Sequence, residues 1–178
     1  MTFDSLKTMP TLLSFSENQL VSELWARDIR FLMGAKSNAA PMLDSAHLIA
    51  ALAESADARI RLALIPLFLR HPEFSAEVRK TEEWNSSPNA RLTIRFYYTA
   101  AVLLQNKYQE RLYNIFGKQT VLPDIFSGAL GLSFIQDPDK DLTQLAQRHQ
   151  ALSGQTINWL GTYEHAAVRL IKHMEKFK

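Results

Sequence analysis

The stretch RIRLALIPLFLRHPEF, residues 59–74, holds eight consecutive apolar residues with a proline in their middle and basic residues on either side. As a helix, eight residues span only about 12 Å, whereas the hydrocarbon core of a bilayer is about 30 Å thick, so the run is too short to cross a membrane. A buried strand is disfavoured because Pro66 would remove a ladder hydrogen bond and because the run is rich in Leu and Ala. The remaining interpretation is a helix buried on nearly all sides, in which Pro66 either kinks one helix or separates two.

Length and composition are those of one ordinary globular domain. The chain has 178 residues, of which 47% are hydrophobic and 21% charged, and its formal net charge is +2. A chain of this length can bury roughly 70% of its unfolded surface in a single core. We therefore predict one helical domain over residues 1–178, with residues 1–16 as a candidate flexible segment. The small net charge means that any nucleic-acid site must be a local basic patch.

The residue types also bear on the cellular compartment. The chain has no cysteine, which removes disulfides, thiolate metal sites and cysteine nucleophiles and fits a reducing compartment. The N-terminal stretch MTFDSLKTMPTLLSF contains Asp4 and Pro10 and lacks the basic region and long apolar segment of a secretory signal. The sequence therefore predicts a cytoplasmic protein without a membrane partner.

Helical periodicity extends over most of the chain. Its longest segment begins at Ser87, a good cap before Pro88, and ends at Gly117, which predicts one long central helix over about 88–116. Further helices are predicted at about 17–35, 44–54, 72–84, 138–154 and 160–177, with a short helix near 124–130. Because no strand pattern competes with these segments, we predict an all-α fold: a compact antiparallel bundle of about six or seven helices.

Residues 44–70 combine a short apolar helix, a turn at Asp57 and a second helix in which basic and apolar residues alternate. This arrangement resembles the turn and second helix of a HEAT-type repeat. The resemblance covers about a sixth of the chain, and no second copy follows at a period near 40 residues, whereas a stable solenoid needs about three copies. It implies a helix pair that serves as a scaffold for binding another macromolecule.

The sequence contains none of the common nucleophile, phosphate-loop, zinc-protease or dinucleotide motifs. Asp137, Asp139 and Asp141 occupy alternate positions, as the ligands of a calcium loop do. Leu142 stands where such a loop needs its turn glycine, and Arg148 stands where it needs a bidentate glutamate. The aspartates are therefore better explained as the start of a helix.

In small helical ribonucleases of bacterial toxin and defence systems, four to six residues separate an Arg from a following His, which places the Arg five to seven positions before the His. No histidine here has an Arg at that spacing, and Arg169 and His173 are one residue too close. We therefore predict no catalytic, cofactor-binding or metal-binding residues.

Two basic clusters are candidate contacts for a protein partner or a nucleic acid. The first is Arg91 and Arg95, one turn apart beside three aromatic residues, which could stack on bases or clamp phosphate. The alternative is that these aromatic residues belong to the core and that the arginine stems pack along its edge. The second cluster lies on the last predicted helix and consists of His165, Arg169, Lys172, His173 and Lys176. Its alternative is an exposed face that favours the helix C-terminus electrostatically.

These features predict a non-enzymatic helical subunit that binds a macromolecular partner, foremost another protein of a bacterial complex. The alternative is an RNA- or DNA-binding or processing protein of the toxin–antitoxin or defence type, which would use the local basic patches. A third interpretation is a small-molecule enzyme with an atypical pocket. Homo-oligomerisation also stays open, because terminal helices are readily shared between chains.

Overall fold

The structure is a computed structural model that describes residues 14–30 and 40–177. The α-helices are, in chain order, α1 Glu17–Trp25, α2 Ser45–Glu54, α3 Ala58–Leu62, α4 Leu64–Arg70, α5 Val78–Trp84, α6 Pro88–Lys107, α7 Gln109–Phe116, α8 Pro138–Ser153 and α9 Trp159–Glu175. A 3-10 helix, Pro72–Glu77, joins α4 to α5. The described residues contain no strand and the helices pack compactly, so the all-α bundle prediction is confirmed.

The described part of the chain begins at residue 14, so the flexible segment predicted for residues 1–16 falls almost wholly outside it. Within residues 14–30 and 40–177, none of the helices combines the length and the apolar character that crossing a lipid bilayer requires.

The apolar run of residues 62–69 lies at the centre of the core. Residues 63–69 are all buried, which confirms the interpretation of a run buried on all sides. The run is divided at Ala63, where α3 ends and α4 begins, and the Ala63 N–H bonds to the carbonyl of Ile60 at 3.1 Å. Pro66 is the third residue of α4, in the first turn, where a missing N–H costs no intrahelical bond. Two short helices therefore replace one kinked helix.

α6 is the central helix and packs against α2, α4, α5, α8 and α9. It begins as predicted, because the Ser87 side chain accepts a hydrogen bond from the Ala90 N–H and Pro88 occupies the first turn. It ends at Lys107, whereas the sequence predicted one helix to about 116. Tyr108 leaves helical geometry, with φ −102° and ψ 22°, and α7 then continues to Phe116. The periodic pattern did not predict this break, because a single irregular residue leaves the apolar positions before and after it on the same side of the helix.

Two further predictions about local structure were wrong. The first helix ends at Trp25 and not near residue 35, because Asp28 adopts a left-handed conformation with φ 62° after a turn. Residues 31–35 of that prediction lie outside the described residues. The short helix expected near 124–130 is a turn around residues 127–131, which Gly131 closes with φ 70°.

Candidate functional site

Arg91 and Arg95, the first predicted contact cluster, join α6 to the end of α5. The Arg91 Nε donates to the carbonyl of Asn85 at 2.6 Å, and the Arg95 guanidinium pairs with the Glu82 carboxylate at 2.7 Å. The aromatic residues 96–98 are buried and present no face for base stacking. The structure therefore places these aromatic residues in the core and both arginines in contacts between helices.

The second predicted cluster forms an edge of α9. His165, Arg169, Lys172 and Lys176 are exposed, while His173 is half-buried and its ring lies 4.9 Å from that of Phe177. These residues extend from His165, near the middle of α9, to its C-cap residue Lys176, whereas Arg91 and Arg95 lie within the first eight residues of α6. The two clusters thus sit on different helices.

An open groove with a volume of about 660 Å³ runs beside the C-terminal half of α6, α7 and the start of the connector that follows α7. We call it the apolar groove. Its lining residues are Val102, Leu103, Gln105, Asn106, Gln109, Leu112, Tyr113, Gly117, Lys118, Gln119, Val121 and Leu122. Leu103, Leu112 and Leu122 are buried, whereas Tyr113 is 62% and Val121 78% exposed.

The apolar groove exists because the connector turns back along α6. Gly117 has φ 72°, a conformation that favours glycine, and it reverses the chain after α7. The Gln105 side chain then donates to the carbonyl of Thr120 at 2.9 Å and accepts from the Leu122 N–H at 2.8 Å. These two bonds use the amide of Gln105, so that much of the groove presents aliphatic and aromatic surface.

A second, smaller cleft of about 370 Å³ lies at the N-terminal half of α6. We call it the donor-lined cleft. Its lining residues come from the ends of α2 and α8, from α3, α6 and α9, and from the loops between them: Ala53, Glu54, Ser55, Ala56, Arg61, Ser87, Asn89, Ala90, Leu92, Thr93, Tyr97, His149, Leu152, Ser153, Gln155 and Trp159. Most of these residues were not singled out by the sequence analysis.

His149 is the most unusual residue of the donor-lined cleft. It is 6% exposed, and its ring stacks between those of Phe96 at 4.1 Å and Trp159 at 3.6 Å. Burial lowers the pKa of His149 to about 3, so the imidazole is neutral at pH 7. Its Nδ1 lies 2.5 Å from the hydroxyl of Tyr163, whose pKa is raised by burial and which therefore keeps its proton. The hydroxyl and Nδ1 share a hydrogen bond, and in the tautomer in which the hydroxyl donates, the ring proton lies on Nε2.

Three further donors belong to the same cleft. Arg61 Nη1 donates to the carbonyls of Ser55 at 2.8 Å and Ala56 at 2.9 Å, and no carboxylate among the described residues pairs with it. Burial raises the pKa of Tyr97 to about 12, against the opposing charge of Arg61, and no described residue hydrogen-bonds its hydroxyl. The Nε1 of Trp159 is buried and has no hydrogen-bond partner in the described part of the chain.

Lys107, Tyr108 and Glu164 form a polar clamp where α6 ends. The Lys107 ammonium pairs with Glu164 on α9 and lies 2.6 Å from Asp139 on α8, and the Tyr108 hydroxyl donates to Glu164 at 2.5 Å. Burial alone would lower the pKa of Lys107, but its bonds to Asp139 and Glu164 raise it. The clamp ties three helices together at the break at Tyr108. Across the described residues, no group of three or more His, Asp or Glu is placed to hold a metal ion.

Sequence reasoning missed the donor-lined cleft because its residues come from distant parts of the chain. One usable signal was present: Trp159 and Tyr163 are one helical turn apart on α9, and a lone histidine, His149, precedes them in the adjacent helix. Such a histidine is more often a satisfied core residue, so the pattern alone did not point to a site.

Comparisons with known proteins provide no relative from which an activity could be transferred. No protein-family model matches the chain, and neither the curated proteins nor the solved structures contain a significant match.

Proposed function

We propose that the chain is a non-enzymatic helical subunit that binds a segment of another protein in the apolar groove. The supporting observation is the pair of exposed apolar side chains, Tyr113 and Val121, above a buried aliphatic floor. Exposed apolar surface that lines a concave groove is typical of sites where a partner helix or strand docks. The absence of cysteine favours a partner in a reducing compartment.

The chemistry of the groove determines the kind of segment that fits. Lys118 is the charged residue of the lining, and it is exposed. The occupant is therefore a short amphipathic segment with apolar side chains on one face and an acidic residue placed to meet Lys118. Burial of the apolar face supplies the affinity, at about 25 cal/mol per Å² of apolar surface, while the ion pair contributes mainly to specificity.

The alternative of nucleic-acid binding receives less support from the structure. Arg91 and Arg95 are already bonded to Asn85 and Glu82, and the neighbouring aromatic rings are buried. The edge of α9 carries exposed cations, but the exposed aromatic side chain beside them is the single ring of Phe177, 4.9 Å from His173, whereas single-strand binders stack successive bases on several aromatic side chains.

Site-specific photo-crosslinking in the native cell tests the proposal. A photoreactive phenylalanine analogue at Tyr113 should trap one protein as a single defined adduct, because this side chain faces the docked segment. The same analogue at Ile135, which is 65% exposed and outside the groove, is the matched control and should trap no such adduct.

Substitution of the groove then tests whether the trapped protein depends on it. Val121→Glu places a carboxylate on the apolar surface and should abolish co-purification of that protein, whereas Ile135→Glu in the same connector should retain it. Equal adducts at both positions, or co-purification that survives Val121→Glu, would contradict docking in the apolar groove.

A further inference from the structure

The donor-lined cleft has the features of a ligand site that is independent of the apolar groove. From its side chains we propose that it binds a small anionic molecule, with a carboxylate or phosphate group against Arg61 and acceptor atoms facing Tyr97, His149 and Trp159. A volume of about 370 Å³ lies at the lower end of the roughly 300–1,000 Å³ typical of small-molecule sites. The ligand is therefore a small molecule and not a polymer chain.

Arg61 is the anchor for the anionic group. Two backbone carbonyls hold one nitrogen of its guanidinium, so the direction of the side chain is set before any ligand arrives. An arginine has five N–H donors, and these two bonds use only one of its nitrogens. Without a carboxylate partner among the described residues, the positive charge of Arg61 is available for a planar, bidentate contact with an anion.

Trp159 provides an independent indication of a missing partner. The residue is 8% exposed, and its Nε1–H is buried without an acceptor in the described part of the chain. Buried donors in folded proteins are almost always paired, so an unpaired one inside a cleft lining calls for an acceptor from outside the chain. Stacking of the indole on His149 at 3.6 Å restrains the ring from turning toward another partner.

His149 and Tyr97 extend the set of donors. With Nδ1 bonded to the Tyr163 hydroxyl, Nε2 is the imidazole nitrogen left for a ligand, and it donates in the tautomer that the proposal requires. The Tyr97 hydroxyl has no hydrogen-bond partner among the described residues. Glu54 is the acidic residue in the lining; it is exposed, and it forms no ion pair with Arg61. A lining of this kind selects ligands that carry acceptors and negative charge.

Nuclear magnetic resonance of the three tryptophan indoles in the full chain measures binding directly. The Trp159 indole signal is assigned as the one that Trp159→Phe removes. Titration with inorganic phosphate, adenosine 5′-monophosphate or citrate should shift that signal saturably, while Trp25 and Trp84, which do not line the cleft, stay unchanged. A response to the phosphate probes alone assigns a phosphate ligand, and a response to citrate alone assigns a carboxylate ligand.

Two pairs of variants connect the shift to the proposed donors. Arg61→Gln should weaken binding at least about tenfold, the equivalent of about 1.4 kcal/mol. Arg59→Gln, which removes an exposed guanidinium outside the cleft, should leave binding unchanged. Tyr97→Phe should weaken binding severalfold without a risk to folding, because its hydroxyl has no partner among the described residues. Tyr108→Phe, which removes a hydroxyl in the polar clamp, is its control.

Three outcomes would overturn the proposal. The first is that none of the three anions shifts the Trp159 indole. The second is that uncharged adenosine shifts it as strongly as adenosine 5′-monophosphate, which would show that charge is not recognised. The third is that folded Tyr97→Phe and folded Arg61→Gln, checked by thermal unfolding, both bind as tightly as the unmodified chain.

Discussion

The two ends of α6 border surfaces of opposite character. At the C-terminal half, the amide of Gln105 is hydrogen-bonded to the backbone of the connector, and Tyr113 and Val121 expose apolar surface. At the N-terminal half, Tyr97 and Arg61 keep donor capacity that no described acceptor uses. The same helix thus borders one surface suited to apolar burial and another suited to charge and hydrogen bonds.

This difference has a measurable consequence for the response to salt. Binding in the apolar groove rests mainly on buried apolar area, which added salt does not weaken. Binding in the donor-lined cleft rests on the charge of Arg61, so an anionic ligand should be released as ionic strength rises. Parallel salt titrations of the two sites would therefore separate them.

The substitution with the largest expected effect should remove both surfaces, because both depend on the core beneath α6. Leu64, the first residue of α4, is fully buried, and α4 packs against α6 and α9. Leu64→Asp buries an unpaired carboxylate at a cost of several kcal/mol, comparable with a whole domain's stability of about 5–15 kcal/mol. Circular dichroism should show no cooperative unfolding transition. Ile135→Asp, at an exposed site, should keep it, and a cooperative Leu64→Asp transition would contradict the core assignment.

A smaller, pH-dependent effect on the free energy of unfolding should come from His149, one residue of the donor-lined cleft. Since His149 has a pKa near 3 in the folded chain and 6.5 as its ordinary value, the unfolded chain takes up a proton first as the pH falls. The contribution of neutral His149 to stability is therefore complete above pH 6.5 and is lost progressively between pH 6.5 and about 3. Between pH 6.5 and 5 we expect a loss of about 2 kcal/mol, measured by urea unfolding.

Matched histidine variants isolate that pH effect from the titration of other groups. His149→Gln should remove this part of the pH dependence, whereas His165→Gln, at an exposed position of α9, should retain it. An unchanged pH dependence in His149→Gln would show that the imidazole of His149 is not held neutral in the folded state.

The smallest expected change in unfolding free energy is at the C-terminal end of α6, beside the apolar groove. Tyr108→Phe removes the hydroxyl that bonds Glu164, a charge-assisted but partly exposed contact, and should cost about 1 kcal/mol of unfolding free energy. Tyr113→Phe, whose hydroxyl is exposed, should stay within about 0.5 kcal/mol of the unmodified chain. Equal stabilities of the two variants in chemical denaturation would show that the clamp does not stabilise the break between α6 and α7.

Much of the fold could be predicted from local signals alone. The caps at Ser87 and Asp137 mark helix starts that the structure keeps, and Gly117 and Gly154 mark helix ends. These signals succeed because capping and left-handed glycine ends depend on neighbouring residues only. The break at Tyr108 could not be predicted, because it accompanies contacts to Glu164, which is 56 residues away along the chain.

The sequence by itself determined the helical class and the buried run around Pro66, since periodicity and the length of an apolar segment are properties of adjacent residues. Only the tertiary structure decided which polar groups meet. Arg91 and Arg95 stood out in the sequence, yet packing bonds them to α5, while Arg61, Tyr97, His149 and Trp159 converge from four helices into one cleft. The physical reason is that the partners of a buried polar group are set by the assembly of helices, and their separation along the chain carries no local signal.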